Sequence, residues 1–131
     1  MGVRVAGAAS CAPPRTEVLV HEYTGRPVVF VSQTGAVGSW MSVEAEGAPG
    51  PASGEARGAR GGVGVSVRFM LGRRSEEENA ALELLAAAMM RAYVRRRAGE
   101  PASPALVVAA GLRSYDAENI RGIVELFESA L

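Results

Sequence analysis

The chain has 131 residues, a formal net charge of zero and a pI near 6.6, with 48% hydrophobic and 21% charged residues. That length suits one domain with one core. The balanced charge excludes a general pull towards nucleic acid or anionic membranes, and no stretch approaches the roughly 18–20 consecutive apolar residues of a membrane span.

Residues 1–15 are rich in Ala, Gly and Pro and are expected to form a flexible N-terminal arm before a single domain over residues 16–131. Residues 17–24, 27–34 and 37–44 read as three consecutive antiparallel strands. Gly25-Arg26 supplies the first turn, and Gly35 and Gly38 bracket the second. Pro27 opens the middle strand, where its missing N–H costs least. That strand is apolar on both sides: Val28 and Phe30 point one way, Val29 and Val31 the other. An antiparallel strand with one wet face alternates apolar and polar residues, so a strand without alternation needs a cover on each side. In the third strand Met41 and Val43 are assigned to the core, with Trp40, Ser42 and Glu44 opposite.

Residues 45–62 contain no apolar side chain larger than alanine or proline and read as a mobile loop. Over residues 63–71 alternation returns. Val65, Val67, Phe69 and Leu71 form a core face, and Ser66, Arg68 and Met70 the other. Ser75 and Glu78 form a capping box at the start of the first helix. Its apolar stripe is Leu82, Leu85, Met89 and Ala92, and Arg91, Arg95, Arg96 and Arg97 complement its C-terminal dipole. Gly99 and Pro101 end it. Residues 105–112, ALVVAAGL, predict a central strand covered on both faces. Asp116 is expected to cap a last helix carrying Ile120, Ile123, Val124, Phe127 and Leu131. The result is an α+β fold, an antiparallel sheet with two amphipathic helices in the order βββ-loop-βαβα. Two helices suffice for one sheet face, so the other face calls for a partner.

Little here supports catalysis. The chain has one His, one Cys and one Asp, and no lysine for a Walker phosphate loop. His21 reads as a structural or exposed strand residue, and Asp116 is explained as a cap. Cys11 stands alone, which fits a soluble protein of a reducing intracellular compartment. No metal-ligand spacing or dinucleotide fingerprint occurs, so no cofactor is expected. The RGARGG run with Arg57 and Arg60 offers an RNA-binding alternative, but Glu46 and Glu55 balance it within the loop. Arg95 to Arg97 read as a solvated helix end. The sheet face carrying Trp40, Ser42, Arg68 and Met70 has the mixed aromatic, thioether and guanidinium composition of a protein interface.

From Thr16 to the C-terminus the chain resembles proteasome assembly chaperone 3. The resemblance rests on EVLVHEYTGRPVVFVSQTG with its Gln33 and Gly35, then GAVGSWMSVE, a variable loop, VRFMLGR, ALVVAAGL and the C-terminal amphipathic helix. The helix opening DAENI is similar to the related chaperone 4 as well. The resemblance implies a non-enzymatic chaperone subunit that dimerises through its sheet, as a homodimer or as a heterodimer with a related assembly chaperone. It implies binding to proteasome α-subunits, promotion of α-ring formation, and a cytoplasmic location with the nucleus as a further site. No nucleic acid and no membrane are expected partners. The loop over residues 45–62, with Arg57 and Arg60, is the expected approach to the α-subunit. Trp40, Ser42, Arg68 and Met70 are the expected dimer interface.

Overall fold

The computed structural model describes residues 4–10, 15–23, 26–45, 64–96 and 105–131. Of the expected loop only Ala45 falls among them, so Arg57 and Arg60 lie outside the described residues, as do Gly25, Arg97, Gly99 and Pro101. The strands are β1 (Arg4–Ser10), β2 (Thr16–Tyr23), β3 (Arg26–Ser32), β4 (Ser39–Ala45), β5 (Val65–Leu71) and β6 (Ala105–Gly111). The helices are α1 (Glu76–Arg96) and α2 (Ala117–Ala130). Together they make an α+β fold with one six-stranded sheet in the order β1-β2-β3-β6-β4-β5.

Three features depart from the sequence reading. Residues 4–10, expected in a loose arm, form β1 and pair antiparallel with β2 from Arg4↔Glu22 to Ser10↔Thr16. The three leading strands do not form a meander, because β6 enters between β3 and β4. It lies parallel to β3 and antiparallel to β4, so the sheet is mixed rather than wholly antiparallel. The inserted strand is the most continuously apolar one in the chain, and the centre of the sheet is the place where such a strand is covered on both faces. Leu71, assigned to the core, is 63% exposed. A bulge between Trp40 and Met41 brings Leu71 opposite Trp40 while Phe69 opposes Met41, which shifts the alternation at that end of β5.

One face of the sheet carries both helices. Val18, Val20, Val29, Val31, Met41 and Val43 of the strands are buried there beneath the helices. From α1 come Leu82, Leu85, Met89 and Ala92, the stripe read from spacing, joined by Ala81, Ala86 and Met90. From α2 come Ile120, Ile123 and Phe127. The Ser75 hydroxyl accepts from the Glu78 N–H at 3.2 Å, which is one half of the capping box. The Glu78 carboxylate instead accepts from Arg74 Nε at 3.0 Å, so the reciprocal half is replaced by an ion pair. No helix among the described residues is long and apolar enough to cross a membrane.

The loops at one end of the sheet are tied by a buried amide. Gln33 Nε2 donates to Thr16 Oγ1 and to Asn119 Oδ1, each at 2.9 Å. Its Oε1 accepts from Asn119 Nδ2 at 2.9 Å and from the Arg113 N–H at 3.0 Å. This joins the start of β2, the exit of β3, the loop after β6 and the first turn of α2. Asp116 caps α2 by accepting from the Asn119 N–H at 2.8 Å, and Ser114 donates to its other oxygen at 2.7 Å. Those two bonds hold the Asp116 carboxyl below its ordinary pKa. Gly72 closes β5 at φ +76°, and a side chain there would run into the Gly38 carbonyl. Its own carbonyl accepts from Ser39 Oγ at 2.8 Å, fixing the start of β4.

Candidate functional site: the helix-free face of the sheet

Alternation along each strand sends every second side chain away from the helices, and pairing aligns these into rows across the sheet. One row runs through Leu19, Phe30, Ala109, Trp40 and Leu71, each paired with the next. The adjacent row runs through Val5, His21, Val28, Val107, Ser42 and Arg68. Both rows therefore lie on the face opposite to the helix-covered core.

The first row is organised by its aromatics. Phe30 and Trp40 belong to strands separated by β6, yet their ring centroids are only 6.0 Å apart at 90°. Both are in register with Ala109, whose methyl is small enough for the rings to meet above it. Ala109 is completely buried as a result. On the other side of Phe30, His21 makes a second edge-to-face contact at 5.7 Å and 81°. Three rings thus line up across β2, β3 and β4. Beyond them lie exposed aliphatic side chains at both margins: Val5 (53%) and Leu19 (39%) on one side, Met70 (55%) and Leu71 (63%) on the other.

Of the expected interface residues, Ser42 and Arg68 are directly paired, Trp40 pairs with Leu71, and Met70 is the exposed residue between Arg68 and Leu71. All four therefore gather on the β4–β5 side of the helix-free face. The sequence reading omitted the β1–β2 side. Leu19 and His21 could have been found, because Val18 and Val20 alternate with them. Val5 could not, since β1 is built from small residues without a strong strand signal. The three-arginine helix end, read as solvated, is exposed at Arg95 and Arg96. Arg95 makes a 2.7 Å ion pair with Glu128.

The centre of the face is apolar and aromatic. Among the described residues no group of three or more His, Cys, Asp or Glu side chains could hold a metal. Every buried side-chain polar atom among them has a hydrogen-bond partner, so no unsatisfied group is aimed at a ligand. The Tyr115 phenol sits on the loop before α2. Burial raises its pKa, and the nearby Arg74 guanidinium opposes that shift.

The family described as proteasome assembly chaperone 3 matches residues 29–130. No curated protein sequence matches the chain. Among solved structures, the fold is similar to a chain in the crystal structure of a chaperone complex for yeast 20S proteasome assembly. The TM-score is 0.67 at 12% sequence identity, and the alignment covers 97% of this chain and 98% of the other.

Proposed function

Since the chain belongs to the proteasome assembly chaperone 3 family, a family of assembly chaperones and not an enzyme class, we propose that it binds proteasome α-subunits as a dimer and promotes α-ring formation. The dimer pairs helix-free sheet faces, either of two copies or of this chain with a related assembly chaperone. The chaperone works by binding alone: it holds α-subunits in an assembling geometry and is displaced as the particle matures. Its place of action is the cytoplasm and the nucleus.

The observation that carries the pairing is the apolar row from Leu19 through Phe30 and Trp40 to Leu71, left uncovered by both helices. Six strands spaced about 4.8 Å apart, each roughly 20 Å long, give a face on the order of 500 Å². Two such faces reach the roughly 1,000 Å² that a specific interface needs. Sheets packed in this way also satisfy the middle strand, which is apolar on its second side at Val28 and Phe30.

Affinity purification of the tagged protein from its own source tests the proposal. The expected result is recovery of α-subunits with a partner of similar size and without mature β-subunits. Recovery of neither α-subunits nor a chaperone partner would overturn it.

A further inference from the structure

We draw no further inference here: the strongest candidate, the exposed apolar margins of the helix-free sheet face at Val5 and Leu19 on one side and Met70 and Leu71 on the other, belongs to the surface already described, and nothing in the structure shows which orientation of a covering sheet they favour.

Discussion

Replacing Trp40 by alanine should weaken both the dimer and the fold, and the two losses can be read separately. Trp40 is part-buried in the single chain, so at most about a third of an indole surface of roughly 250 Å² is left to cover, about 80 Å². At ~25 cal/mol per Å² that burial contributes about 2 kcal/mol for each indole. A pair of identical copies buries two indoles, so Trp40→Ala in both costs about 4 kcal/mol and raises the dimer Kd roughly a thousandfold. If the partner is a different subunit, only one indole is lost and the Kd rises about thirtyfold. Within the single chain the other two thirds of the indole, about 170 Å², is already buried, so the same substitution costs the fold about 4 kcal/mol as well, the edge-to-face contact with Phe30 included.

Sedimentation velocity over a concentration series reads the dimer, and urea unfolding reads the fold. Leu84→Ala is the control: Leu84 is 67% exposed on α1, on the helix side of the sheet, and its loss should leave the dimer unchanged. A Trp40→Ala protein with the wild-type monomer–dimer distribution would refute the pairing through this face. So would a wild-type protein that stays monomeric at high concentration both alone and with its purified partner.

Four further outcomes follow from the fold. Phe127→Ala, at a fully buried site on α2, should lower the unfolding free energy by about 3–5 kcal/mol in urea. Gln33→Ala takes away the acceptor of the Arg113 N–H and the donor to Asn119 Oδ1, while Asn119 Nδ2 keeps the Ser114 carbonyl, and should cost about 2–3 kcal/mol in urea. Gly72→Ala should destabilise by more than the roughly 1 kcal/mol of an ordinary glycine change, because φ is positive and the Gly38 carbonyl blocks the methyl; a neutral result in urea would contradict that geometry. Asp116 has a lower pKa folded than unfolded, so its contribution is present above the unfolded carboxylate range and is lost as pH falls through the folded value. Asp116→Asn keeps a capping oxygen but cannot titrate, and Tm should then fall less steeply below about pH 4.

Face assignment was legible in the sequence wherever one strand carried its own alternation. Met41 and Val43 against Trp40 and Ser42 needed no neighbour to interpret, and both core residues are fully buried. Pairing order was not legible. Residues 105–111 read as central because they are apolar, but nothing local says that their neighbours are β3 and β4, which the chain connects directly to each other. Strand order is decided by which faces can be buried together across long sequence separations, and periodicity within a strand does not encode it. The bulge at Trp40/Met41 is a further case: alternation through residue 71 is unbroken in the sequence, and only the pairing partner reveals the slip. Gln33 carries no local signal of its burial, since a buried amide depends on partners 17 and 86 residues away.

The connections explain why one face stays open. After β5 the chain crosses over β4 through α1 to reach β6, and after β6 it returns through α2. Helix α1 packs over β4, β5 and β6, and α2 over β1 and β2, so both helices are committed to the same side. On the opposite side the chain does place polar residues: His21 in β2 and Ser42 in mid-β4, and Glu17, Glu44, Ser66 and Arg68 at strand ends or on the edge strand. The middle band keeps Val28, Phe30, Val107 and Trp40, where an isolated antiparallel sheet with a wet face would alternate to polar residues. Polar ends around an apolar, aromatic centre are the anatomy of a protein interface. Polar residues flank the apolar centre on this face, so the centre is specific to its position, which is what the sheet-to-sheet pairing proposed above requires.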